Sequence, residues 1–142
     1  MEKGGVCMSI SLLLKQHVQI SEILQELMSI PQEGLAEKAF EISKKIGQLA
    51  GVLKFHLQSE DKFLYPKLMK HESSHIRDTA FAFTDEMGNL GEKFEAFKAT
   101  YIQPKNIKAA PEKFKQDLDS IATALKIRIE REDRKLYPLL DR

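Results

Sequence analysis

The segment His56-Leu-Gln-Ser-Glu60-Asp-Lys-Phe-Leu-Tyr65-Pro66 returns near the C-terminus as Arg128-Ile-Glu-Arg-Glu132-Asp-Arg-Lys-Leu-Tyr137-Pro138. In both copies a glutamate stands five positions before Tyr-Pro and is followed by aspartate. The position nine before the tyrosine is histidine in the first copy and arginine in the second. A repeat at this spacing implies a duplicated two-helix unit whose halves pack face to face.

Apolar periodicity supplies the rest of the architecture. The first helix is expected over about residues 9–29, with Leu13, Leu14, His17, Ile20, Leu24 and Met28 at three- and four-residue intervals, ending before Pro31 and Gly34. The second begins near Leu35 and carries Phe40, Ile42, Ile46, Leu49, Leu53, His56, Glu60, Phe63 and Leu64 into the Tyr65-Pro66 turn. Serines at 73 and 74 offer caps for the third, whose stripe is Ile76, Phe83, Met87, Leu90, Phe94, Phe97 and Tyr101. Gly88 and Gly91 fall inside that stripe, and both predict close helix contact or a local irregularity. Pro111 suits the first turn of the fourth helix, which presents Phe114, Leu118, Ile121, Leu125, Arg128, Glu132 and Leu136. With no strand-like alternation, the fold predicted is all-α, an antiparallel up-down-up-down four-helix bundle.

Composition narrows the function. Lys and Arg number 22 against 21 Asp and Glu, with both signs interspersed, so neither nucleic acid nor a membrane is an expected partner. The single cysteine, Cys7, excludes an internal disulfide or thiolate metal site and fits a reducing cytoplasm. The apolar run from Met8 to Leu14 is too short to span a bilayer. Residues 1–8 read as a flexible leader and residues 9–142 as one bundle domain.

Polar residues interrupt the apolar stripes at one level. His17 lies between Leu13 and Ile20, while His56 and Glu60, four apart, share an inward face, as do Arg128 and Glu132. Inward carboxylates cost several kcal/mol each unless paired or metal-bound, roughly what charge burial takes after relaxation. His17 precedes His56 by 39 positions, and the residue 41 positions before Arg128 is Met87, which therefore occupies the place equivalent to His17.

At these residues the chain resembles the hemerythrin-like (HHE) domain family. The family pattern is His on the first helix, His-x-x-x-Glu on the second, His on the third and His-x-x-x-Glu on the fourth, with the carboxylates bridging two irons. The resemblance implies the bundle fold and chemistry with iron, oxygen, nitric oxide or redox stress. Here the first half keeps His17, His56 and Glu60, whereas the second has Met87, Arg128 and Glu132. Arginine offers no lone pair and a thioether is a poor ligand for iron, so an intact di-iron centre is not expected.

Three states of the pocket stay open. His17, His56, Glu60 and Glu132 could hold one Fe or Zn ion. Alternatively, Arg128 could replace the cation by pairing with Glu60 and Glu132, with one histidine protonated. Or Arg128 could carry its charge out to solvent. Three functions stay open beside them: a binding or sensing domain with at most one metal, a metal-free structural or protein-interaction bundle, and a mononuclear metal-dependent redox enzyme in which the histidines and carboxylates leave an open position on the metal. No catalytic residue, small ligand, protein partner or oligomeric state is named by the sequence.

His71 and His75 have the spacing of a two-histidine metal pair, but they lie in the polar connection before the third helix and read as incidental. Tyr65 and Tyr137 are expected to pack their rings on the bundle end with their hydroxyls in water.

Overall fold

The computed structural model describes residues 2–141, with side chains described for residues 10–140; the leader expected over residues 1–8 lies outside the described side chains. In chain order the helices are α1 (Glu2–Met28), α2 (Ala39–Ser59), α3 (Tyr65–Met69), α4 (Ser74–Tyr101), α5 (Pro104–Ala109) and α6 (Pro111–Arg131). The described residues contain no strand, and none of their helices is long and apolar enough to cross a membrane. Each of the four long helices packs on two others: α1 on α2 and α6, and α4 on the same pair. That closed ring of neighbours is an all-α bundle around one axis.

The helix ends follow local chemistry. Ser73 has extended backbone angles and its Oγ accepts the Ile76 N–H at 3.4 Å, capping α4. Pro111 occupies the first turn of α6, where a missing N–H costs nothing. The α4–α6 connection folds into α5, whose Ile107 is fully buried, and Ser43 of α2 donates to the Ile102 carbonyl beside it.

Two apolar clusters stack along the bundle axis. The larger includes Ile20, Leu53, Met87 and Leu125, and the smaller includes Leu13, Leu64, Phe83 and Leu136. The residues between these levels are His17 on α1, His56 and Glu60 at the end of α2, and Arg128 and Glu132 at the end of α6, all buried. A polar layer is thus sealed above and below by apolar packing, which strengthens electrostatic interactions and penalises any group left unpaired.

Some stripe positions point elsewhere than the sequence suggested. Leu14, Phe40 and Phe63 are exposed, the extreme being Phe40 at 72 %. The stripe of α2 is Ala39, Ile42, Ile46, Leu49, Leu53 and His56, a strict three-four alternation that leaves Phe40 about 100° off the buried line. Leu13 rather than Leu14 keeps that alternation with His17 and Ile20.

The irregularities also lie away from the glycines. A Cβ on Gly88 or Gly91 would meet nothing within 4 Å, and α4 runs unbroken through both; with Leu53 and Leu57 they border an open groove between α2 and α4. The helices instead break register at the repeated segment. Glu60–Leu64 and Glu132–Leu136 each form one turn of π-helix, closed by Tyr65 N–H on the Glu60 carbonyl and Tyr137 N–H on the Glu132 carbonyl. Single π turns inside helices concentrate at functional sites.

Since the two glycines only cost backbone entropy, Gly88→Ala and Gly91→Ala should each stabilise the fold by about 0.5–1 kcal/mol. Urea denaturation checks this; a loss of stability at either position would reveal a close contact.

Candidate metal centre

Four side chains from three helices converge in the polar layer. His17, His56, Glu60 and Glu132 each offer one ligand atom, and those atoms lie within 4.8 Å of one another. His17 Nε2 stands 2.8 Å from Glu132 Oε1 and 3.2 Å from His56 Nε2, while His56 Nε2 is 3.3 Å from both Glu60 Oε2 and Glu132 Oε1.

The tautomers follow from the outer partners. His17 Nδ1 is 2.8 Å from Asp133 Oδ1, and a carboxylate only accepts, so Nδ1 carries a proton and, in the neutral ring, Nε2 turns its lone pair inward. For His56 the chain is longer. Ser59 Oγ donates to the Phe55 carbonyl, so it accepts from Gln16 Nε2; this leaves Gln16 Oε1 facing His56 Nδ1 at 2.8 Å, and that nitrogen must donate. When neutral, both imidazoles therefore present bare Nε2 atoms to each other and to two carboxylates. Metal-ligating histidines are held in this manner.

The sequence reading missed a further member. Tyr137 Oη lies 2.8 Å from Glu60 Oε2, 3.0 Å from His17 Nε2, 3.3 Å from Glu132 Oε1 and 3.5 Å from His56 Nε2. Its hydroxyl is buried in the site rather than in water, and Tyr65 Oη is buried as well, accepting from Arg128 Nη2 at 3.1 Å. The π turns explain both corrections. At about 100° per residue, a tyrosine nine positions beyond His56 or Arg128 would sit on the opposite side of an α-helix. The extra residue in each π turn takes back about 100° and returns the ring to the polar layer.

Arg128 is buried, which sets aside its escape to solvent. Its guanidinium reaches Glu132 Oε2 at 3.2 Å, Glu86 Oε2 at 3.3 Å and the Tyr65 hydroxyl, and it lies over the Phe83 ring at 4.6 Å. It does not pair with Glu60, contrary to the sequence expectation. Glu86, next to Met87, faces partly to solvent and also accepts from Arg131 at 2.5 Å. Met87 joins the apolar cluster. His71 and His75 lie outside the site: His71 Nδ1 accepts the Ser73 N–H at 3.0 Å, and His75 is exposed.

The residues fit a single cation. Neighbouring ligand atoms bound at about 2.0–2.2 Å around one ion lie roughly 3 Å apart, the spacing seen here. Glu60 Oε1 is buried without any hydrogen-bond partner, an acceptor that a nearby positive charge would satisfy. Two imidazoles and two carboxylates suit Fe(II) or Zn(II). A surface groove lined by Leu14, Val18, Gln25, Ile129 and Asp133 leads to the outer edge of His17.

Without a cation, protons must do this work. Burial opposes charge on His56, but its hydrogen bonds to Glu132 and Glu60 outweigh that and raise it to about 9. Burial raises Glu60, whereas Glu132 is held well below the usual carboxylate range because hydrogen bonds from His17 and His56 overcome its burial. Burial and both carboxylates push the Tyr137 hydroxyl far up, so it keeps its proton in the metal-free protein.

A pH dependence follows for metal-free protein. The ordinary value for His56 is 6.5, so its contribution to stability is complete below that and is lost as pH rises through about 9. The melting temperature of chelator-stripped protein should therefore fall from about pH 6 to about pH 10 more than that of metal-loaded protein. Equal falls in the two forms would contradict the protonated network. Arg128→Met should cost roughly 3–5 kcal/mol, because Glu132 keeps its buried charge and loses its cation. Chemical denaturation measures it, and an unchanged midpoint would count against the pairing.

Comparison with known proteins agrees with this geometry. The family described as the hemerythrin HHE cation binding domain matches residues 8–140. No curated protein and no solved structure matches the chain. The family match spans α1 to the end of the repeated segment and includes each side chain of the polar layer, and on that ground the chain belongs to the hemerythrin HHE cation-binding domain family.

Proposed function

We propose that this protein is a single-metal member of its family, a binding or sensing domain that holds one Fe or Zn ion between His17, His56, Glu60 and Glu132. One observation carries the reading: two imidazole Nε2 atoms and two carboxylate oxygens crowd together, and while the imidazoles are neutral all four are acceptors with only the Tyr137 hydroxyl proton to share among them. Such a set repels itself unless a cation or added protons lie within it.

The second half of the bundle supports one ion rather than two. Where a second ion would need nitrogen ligands, the chain supplies the Met87 thioether and the permanently charged Arg128 guanidinium. Arg128 takes up Glu132 Oε2 and so supplies positive charge on the side of the carboxylate that faces away from the histidines.

When bound, the ion supplies Lewis acidity and, if it is iron, access to a redox couple. The protein orients its ligands through Asp133 and Gln16, excludes water with the two apolar clusters, and fixes the charge balance with Arg128. The narrow, enclosed layer favours holding an ion over turning over a substrate, and points to a binding or sensing role in iron, oxygen or nitric oxide chemistry. The metal-free bundle is the weaker reading, because Glu60 Oε1 then has no partner and Arg128 does not reach it.

Elemental analysis of protein purified without chelators should find one metal per chain in the native sequence. The double variant Met87→His with Arg128→His, which removes the built-in cation and restores two nitrogens, should rise toward two. A native protein free of metal would defeat the proposal, and a double variant that still holds one ion would show that the two halves are not equivalent.

A further inference from the structure

Tyr137 is poorly explained as packing. Its ring stacks beside that of His17, with centroids 5.2 Å apart and planes 18° from parallel, and its hydroxyl oxygen points into the ligand cluster. Tyr65, its counterpart in the first copy of the repeat, has a different task, since its hydroxyl accepts from Arg128. The two tyrosines therefore divide as the two halves do, one toward the histidines and one toward the arginine.

The spacing around Tyr137 Oη matches the nearest spacings among the four other ligand atoms. Its separations of 2.8–3.5 Å resemble the closest histidine-to-carboxylate contacts, 2.8–3.3 Å, in a group whose four ligand atoms all lie within 4.8 Å of one another. An oxygen so placed is one more corner of the polyhedron around a common centre, not an onlooker hydrogen-bonded to a single ligand. The π turn at Glu132–Leu136 puts it there, and the same turn leaves Asp133 free to hold His17 from outside.

We infer that Tyr137 is a fifth metal ligand, binding the ion of the proposed site through its phenolate oxygen. The inference rests on the single-metal reading and adds an anionic oxygen donor to it. As the ion binds, the O–H bond breaks, the proton leaves to solvent and the oxygen's electron pair goes to the metal, with no change of oxidation state. Three anionic oxygens and two imidazoles make a harder donor set, one that favours ferric over ferrous iron relative to a site of two histidines and two carboxylates. Tyrosine is among the side chains by which proteins hold iron.

Full-length protein and the variants Tyr137→Phe and Tyr65→Phe can be loaded with one equivalent of ferric citrate and desalted, then measured for bound iron and visible absorption. Native protein and Tyr65→Phe should show the visible phenolate-to-iron charge-transfer band. Tyr137→Phe should retain one iron per chain and lose the band completely. Iron-loaded native protein without the band, or Tyr137→Phe with the band intact, overturns the phenolate ligand and leaves the single-metal site standing. Native protein that takes up no iron overturns the phenolate ligand, and if it takes up no zinc either the single-metal site falls with it. Circular dichroism of the metal-free variants separates a lost ligand from a lost fold.

Discussion

The architecture turns on a self-repelling group of lone pairs. Two imidazole nitrogens and two carboxylate oxygens meet at separations of about 3 Å between apolar layers, where the low dielectric magnifies every unbalanced charge. The two apolar clusters pack the helices on either side of this group. Balance must come from a cation or from protons, and the outer hydrogen bonds of Asp133 and Gln16 bias the choice by keeping both Nε2 lone pairs turned inward. Glu60, with one oxygen unpartnered, is where the metal-free arrangement falls short.

Arg128 divides the layer into unequal halves. In a duplicated bundle, equivalent residues would serve two equivalent ions, yet here one half supplies its positive charge through a covalently attached guanidinium. That charge cannot dissociate or change oxidation state, and it is held by Glu132, Glu86, the Tyr65 hydroxyl and the Phe83 ring. Glu132 consequently faces the histidines with one oxygen and the arginine with the other. A carboxylate that could have bridged two ions instead links one candidate metal position to a fixed cation.

Much of this was legible in the sequence because helical periodicity is regular. Three-four spacing put His17, His56 and Glu60, and Arg128 and Glu132, on inward faces at one level, and those residues do lie together in the layer. The same regularity misled where the helix departs from 3.6 residues per turn. Nothing in composition marks a π turn, so α-helical spacing places the Tyr65 and Tyr137 hydroxyls in water and Phe63 in the core, each about one residue's rotation from its observed place. The repeat itself held the clue, since the shared Glu-Asp-x-x-Leu-Tyr-Pro spacing spans the π turn in both copies. Gln16, Ser59, Glu86 and Asp133 were invisible for another reason: polar residues beside a stripe look like surface until the neighbouring helix is known. Gly88 and Gly91 carried the opposite lesson, because they leave a groove open rather than permit a close approach.

The central claim concerns one ion in one half of the layer. Anomalous diffraction from crystals of the purified protein, recorded at the iron and zinc absorption edges, tests it most directly. A single peak is expected among His17, His56, Glu60 and Glu132, with none beside Met87 and Arg128. Two peaks, or one displaced to the arginine side of Glu132, would contradict it.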